Sequence, residues 1–350
     1  MILLYALCII FILTPFFPAI GTAHWVFRMP DFVRLQSILI EVILVVLLFY
    51  FHWEFNVFEW VLFFCLITAI VYQLEKVTRY SSLYPRKKWR KSLESFSILG
   101  ANILQDNKDF DAFLDIIANF NPDLVLAMET DKDWERSLDR LEPDYPYSMK
   151  IPLENYYGMH LYSKKKLHNV SQKFQIEKDV PSIFCEIELE GEKVQLICLH
   201  PAPPSPTENE TSKERDAELM LTGKIIKERD LPTVVCGDMN DVVWSRTTRL
   251  FKKMTGMIDP RVGRGFFPTY HAKYGLMRFP LDHLFHTDDL TVGTMKRTPY
   301  FGSDHFGMYY EIYHTRSKKK EVTPHLEPDE EIEVEEMIDN GLEAQKETNP

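Results

Sequence analysis

Three apolar stretches crowd the first quarter of the chain, at about residues 2–20, 35–51 and 57–74. Each is about long enough to cross a hydrocarbon core as a helix, which takes roughly 17–25 residues. The first has no basic segment before it and two further stretches after it, which argues against a cleaved signal peptide. From about Phe96 the pattern changes to short apolar runs that alternate with amphipathic ones. Residues 97–101 read as a strand, and Phe110, Phe113, Leu114, Ile116, Ile117 and Phe120 then fall at helical spacing. Asn121-Pro122 stops that helix, and 123–128 is a second strand. Further strands are predicted at 182–189, 193–199, 233–236, 280–285 and 307–313, with a hairpin turn at Glu190-Gly191. Helices are predicted at 209–228 and 242–253. Strands interleave with helices and hairpins are present as well, which points to a mixed-sheet α/β sandwich.

Charge sharpens this division. The 350 residues carry a formal net charge of -11, yet eleven acidic residues and one lysine lie between Glu321 and Pro350, leaving the rest close to neutral. The acidic balance therefore describes a tail, and the strongly basic face of a dedicated nucleic-acid binder is missing. The chain divides into a three-span transmembrane anchor (1–76), a basic juxtamembrane linker (77–95), an α/β domain (96–315) and an acidic tail (316–350) predicted to be disordered. Arg28 and Arg34 lie in the first loop, and Lys76, Arg79 and the cluster from Arg86 to Lys91 follow the third span. The positive-inside rule then sets the N-terminus outside and the large domain in the cytoplasm, at a plasma (inner) membrane. Glu41 lies within the second span, where a protonated or Arg34-paired carboxyl near the helix end is the simplest expectation. The spacing of Cys8, Cys65, Cys185, Cys198 and Cys236 matches no zinc ribbon or disulfide framework.

Candidate chemistry recurs at the ends of apolar strands. Asn102 follows Ile98–Ala101, Glu129 follows Leu124–Met128, His200 follows Leu196–Leu199, and Asp238 and Asn240 follow Val234–Gly237. Strand ends are where α/β folds assemble sites. In Gly237-Asp238-Met239-Asn240 a carboxylate and an amide two residues apart can share a face, and Gly237 lets backbone approach a ligand. Later come Leu281-Asp282-His283 and Ser303-Asp304-His305, where a carboxylate beside a histidine can set its tautomer and basicity. Oxygen ligands such as Glu129 and Asp304 suit a hard ion, Mg²⁺ or Mn²⁺. His283, His286 and His305 lack the spacing of a zinc-protease helix. The stiff run Pro201–Pro206 reads as a connector or as a loop that shapes the cleft, and the aromatics of Phe266–Tyr270 read first as core and otherwise as a lining of the cleft.

Taken in this order, the strand ends and the GDMN, LDH and SDH segments resemble the endonuclease/exonuclease/phosphatase superfamily. The resemblance runs from about Ile98 to Tyr313 and covers neither the spans nor the tail. It implies a four-layer α/β sandwich of two packed mixed sheets flanked by helices, here preceded by three transmembrane helices. It also implies a metal site at Asn102, Glu129 and Asp304, and catalytic roles for His200, Asp238, Asn240, Asp282 and His305. The function expected is hydrolysis of a phosphodiester or phosphomonoester by an activated water, with a nucleic acid or a lipid headgroup as substrate. The alternative is a non-catalytic membrane scaffold that recruits partners through the domain and the tail.

Overall fold

The computed structural model describes residues 1–51, 54–86, 91–205, 209–228, 230–315 and 325–348. The chain forms two compact units. The first takes in Met1–Arg86 with the short segments Trp244–Arg246 and Arg261–Phe266. It contains helices α1 (Ile2–Leu13), α2 (Trp25–Phe32), α3 (Arg34–Phe51) and α4 (Val57–Val77). Three helical segments, Ile2–Ile20, Arg34–Phe51 and Val57–Tyr80, are long and apolar enough to cross a membrane. Their inner seam packs Cys8, Leu44, Leu48, Leu62 and Leu66. Polar groups are also turned inward. Gln73 donates its amide to both oxygens of the buried Glu41 at 2.7 Å, Tyr5 donates to Glu59 at 2.7 Å, and Arg34 pairs with Asp31. The partner of Glu41 by hydrogen bond is thus Gln73 and not the expected Arg34. Asn56 and Glu59 cap the start of α4 reciprocally, which satisfies two of its orphan N–H groups.

The second unit holds two mixed sheets. The strands of the first are β1 (Lys91–Asn102), β2 (Leu124–Met128), β3 (Tyr147–Ile151), β4 (Met159–Ser163), β10 (Leu290–Arg297) and β11 (Met308–Thr315), in the order β10-β11-β1-β2-β4-β3. The second contains β5 (His168–Lys173), β6 (Ser182–Leu189), β7 (Glu192–Leu199), β8 (Thr233–Asp238) and β9 (Asp282–His286), in that order. β1/β2 and β7/β8 run parallel and the other pairs antiparallel. Side chains alternate across a strand, so one face of each sheet feeds a common core. Ile98, Leu124, Leu126 and Met128 there meet Ile183, Cys185, Leu196, Cys198, Val234, Cys236 and Leu284. The outer face of the first sheet packs Leu99, Ala101 and Val125 on Phe113 and Ile117 of α5 (Phe110–Phe120) and on Trp134 of α6 (Lys132–Leu138). On the second sheet's side lie α7 (Lys213–Glu228) and α8 (Arg246–Thr255), with Phe251 against Phe285. The expected sandwich of two mixed sheets flanked by helices is what forms. All five cysteines are free.

Several local expectations change. The pattern reading passed over β3, β4, β5 and β10. β3 and β5 are sheet edges with mostly polar, partly exposed residues, so they show no apolar run. The domain's first strand starts at Lys91, not near Ser97. The tail is corrected over most of its length: Pro328–Thr348 forms a helix, α9, packed along α7. Val334 and Ile338 are buried there, Lys224 and Lys253 pair with Glu335 and Glu330, and Gly341 lets the helix close on Ala217. Charge density concealed a narrow apolar stripe that suffices once a partner helix is present. Residues 87–90 of the basic cluster, Pro206 and residues 316–324 lie outside the described residues.

Candidate active site

The inter-sheet core turns polar at one end, and the period-two alternation of the strands does it. On β7 the inward row Leu196, Cys198 continues into His200. On β8 Val234, Cys236 continues into Asp238, and on β9 Leu284 is preceded by Asp282. Asn102 ends β1 two residues beyond Gly100 on the row of Ile98, and Glu129 follows β2. Because β1, β2, β7 and β8 end at the same edge while antiparallel β9 begins there, five strands deliver their polar residues to one place.

The geometry is specific. Asn102 donates its amide to Glu129 Oε1 at 2.6 Å and to Asp238 Oδ2 at 3.2 Å. Glu129 Oε2 accepts the backbone N–H of Gln105 at 3.3 Å. His305 sits between two carboxylates, with Nδ1 2.8 Å from Asp282 Oδ2 and Nε2 3.4 Å from Asp238 Oδ2. His200 Nε2 lies 4.0 Å from the same Asp238 oxygen. The other Asp238 oxygen accepts the N–H of Asn240 at 3.0 Å, and Asn240 donates its side-chain amide to the Pro201 carbonyl at 3.0 Å. Asn102, Glu129, His200, Asp238, Asn240, Asp282 and His305 are therefore linked by direct contacts. Asp304 joins them through its charge, which acts on both Glu129 and His305.

Electrostatics separates the two histidines. Burial alone disfavours a charged ring, and it holds His200 down at about 4, so this imidazole is neutral at pH 7. Burial opposes charge on His305 as well, but Asp238 and Asp282 outweigh it and raise it to about 10. His305 is thus an imidazolium that bridges two carboxylates. Burial lifts Glu129 to about 7, and the neighbouring Asp304 and Asp238 add to this, against Asn102 and His305.

The donor set fits a hard cation. Glu129 feels the negative charges of both Asp304 and Asp238, a repulsion that a divalent ion would relieve. Among the described residues, Asp238, Asp282 and His305 also place ligand atoms within 4.8 Å of one another. That group is better suited to holding a proton than a metal, because both nitrogens of a charged His305 already face carboxylates.

One part of the site was not marked by the sequence. Arg215 on α7 is buried, donates to the Asn240 carbonyl at 2.7 Å, and reaches Asp216 at 2.7 Å and Asp241 at 3.7 Å. His283 faces the Asp241 carbonyl at 2.8 Å. Two successive carbonyls of the turn that follows β8 are thus clamped, and Asn240 is held at φ +48°. In sequence, Arg215 is one basic residue among acidic ones on a helix, which reads as a solvated face. Gly237 corrects an expectation, since the close approach it permits is to protein and not to a ligand. At φ +145° a Cβ there would lie 1.9 Å from the Leu199 carbonyl oxygen. Within the aromatic run, Phe267 packs on the core, and Tyr270 lies against His305, the rings tilted 45° with centroids 4.9 Å apart.

A profile described as the Endonuclease/Exonuclease/phosphatase family matches residues 95–305. The chain belongs to that family. Solved structures agree in fold. D. rerio TDP2 complexed with single strand DNA product superposes with a TM-score of 0.55 at 16% identity, covering 63% of this chain and 99% of that one. The human Nocturnin catalytic domain with bound sulfate anion gives 0.51 at 15% identity, covering 65% and 97%. SmcL gives 0.50 at 16%, covering 63% and all of its own chain. No curated protein sequence matches the chain. Members of the endonuclease/exonuclease/phosphatase family are metal-dependent phosphoesterases.

Proposed function

We propose that this protein is a membrane-anchored, Mg²⁺-dependent phosphoesterase that hydrolyses a phosphodiester or phosphomonoester by in-line attack of water. The observation that carries this reading is Asp238. It is fully buried, touches Asn102, Asn240 and His305, and lies 4.0 Å from His200. Asp238 takes the proton of the attacking water as a carboxylate base. Asn240 donates an amide hydrogen to a phosphate oxygen, and the clamp from Arg215 keeps that amide aimed. The imidazolium of His305, held by Asp282, supplies positive charge against the phosphate. His200 is neutral, so it serves as a hydrogen-bonding contact to the phosphate, and the leaving oxygen takes its proton from solvent water while Asp238 later returns the proton it accepted. Glu129, Asp304 and Asn102 would hold the Mg²⁺, which when bound neutralises phosphate charge.

The substrate proposed is a phosphate ester from a nucleic acid or a lipid headgroup, and the Mn²⁺ ion would serve in place of Mg²⁺. The three apolar helices support an anchor of residues 1–76, and the basic residues in the first loop and after the third span support placing the domain of residues 96–315 on the cytoplasmic side, at a plasma (inner) membrane. Protease protection of the domain in sealed right-side-out vesicles is the expected result, and cleavage there would reverse the topology. The activity test uses the full chain in detergent with bis-p-nitrophenyl phosphate. Turnover is expected to need Mg²⁺, to stop with EDTA, and to fall at least ~10³-fold in Asp238→Ala. EDTA-resistant turnover, or full activity in Asp238→Ala, overturns the reading.

A further inference from the structure

Two arginines flank the Ser303-Asp304-His305 turn without an acidic partner. Arg278 and Arg297 both lie over the ring of Phe306, with guanidinium carbons 5.1 and 4.2 Å from its centroid. Phe306 directly follows His305. Arg278 donates to the Ala272 carbonyl at 2.7 Å, and the N–H of Ala272 is bonded to the Asp304 carbonyl at 2.6 Å. Arg297 donates to the Pro268 carbonyl at 2.8 Å. Among the described residues no carboxylate lies within ion-pairing distance of either guanidinium, and the rest of each donor fork is open. Two like charges over one ring repel each other, and carbonyl stitching alone would be met by a neutral amide without that repulsion. Burial, and then the charge of Arg278, lower the Arg297 guanidinium from its ordinary value, as expected of a cation pair with no anion between.

We infer that Arg278 and Arg297 form a subsite for a second phosphate group of the substrate, adjoining the phosphate that is cleaved. Planar guanidinium forks match phosphate oxygens, and both guanidiniums are anchored by contact with the one Phe306 ring. The subsite rests on the phosphoesterase reading and narrows it to substrates with at least two phosphates. A phosphorylated inositol headgroup and a 5′-phosphorylated oligonucleotide both present this chemistry.

The test compares pairs of substrates that differ by one phosphate, with the full chain in detergent and Mg²⁺. One pair is inositol bisphosphate against inositol monophosphate, and the other is a dinucleotide with and without its 5′-phosphate. Wild type is expected to prefer the member with the second phosphate by at least ~10-fold in kcat/KM in one pair, which also identifies the source. In the double variant Arg278→Gln, Arg297→Gln that ratio falls toward one, while Arg278→Lys, Arg297→Lys, which keeps the charges but loses the forks, retains only part of it. Taking the ratio within each variant cancels any general loss of active protein. Calorimetry with inorganic pyrophosphate supplies a readout that needs no turnover. Binding at least ~10-fold weaker in the glutamine variant supports the subsite even if no substrate is cleaved, an outcome that would count against the phosphoesterase reading alone. Equal ratios and equal pyrophosphate binding in wild type and the glutamine variant overturn the inference.

Discussion

The two units are built inside out with respect to each other. In the helical unit the exposed positions are Leu39, Val42, Ile43, Val46 and Phe49, while Arg34, Glu41, Glu59 and Gln73 are buried. In the sandwich the apolar residues fill the space between sheets, and buried polar groups gather where the strands end. Each arrangement follows from the solvent it suits. Hydrocarbon around a helix bundle rewards apolar surface and forces polar groups to pair inside. Water around a sandwich does the reverse, and polar groups buried there must be hydrogen-bonded or held at a site of chemistry.

The largest expected effect breaks this contrast at the surface. Val46 is 60% exposed on α3 and Val170 is 38% exposed on β5. Val46→Lys is expected to cost roughly 2.5–3.5 kcal/mol of membrane insertion. Val170→Lys should shift stability by less than about 0.5 kcal/mol. Carbonate extraction of membranes and thermal unfolding read the two, and equal effects would remove the case for a lipid-facing bundle. A smaller effect probes the buried polar groups of the sandwich. Arg215→Met should lower kcat about 30-fold, or about 2 kcal/mol, with KM little changed. It should add nothing once Asn240 is alanine, because the clamp acts through that residue. Additive losses in the double variant would make Arg215 a general support of the fold. The smallest effect concerns Glu218, fully buried on α7 and bonded to Ser182 at 2.5 Å. Burial pushes its carboxyl up to about 7, so the folded protein favours the neutral form. That contribution is complete below about pH 4.5 and is lost as pH rises through 7. Glu218→Gln is therefore expected to gain about 1–2 kcal/mol at pH 8 and little at pH 4.5, measured by denaturant unfolding. No gain at pH 8 would mean that the carboxylate is solvated.

Much of the site was legible because its residues sit at the ends of strands that apolar runs announce. Asp238 and His305 stand beside short motifs, and Asn102, Glu129 and His200 each close an apolar run. Arg215, Arg278 and Arg297 gave no such signal. Their meaning lies in a carbonyl or a ring contributed by a distant part of the chain. The tail was misread for the same reason, since the burial of Val334 and Ile338 of α9 becomes visible only with α7 beside them.

By itself the sequence determined the division into an apolar helical region and an α/β domain, the mixed sheets, and the residue types of the site. These are local, because periodicity and strand-end chemistry are carried by neighbours in the chain. Only the tertiary structure decided which of those groups share a proton, which histidine is charged, and what Gly237 is for. Those properties depend on burial and on charges brought within a few ångströms by strand pairing, and no local pattern encodes them.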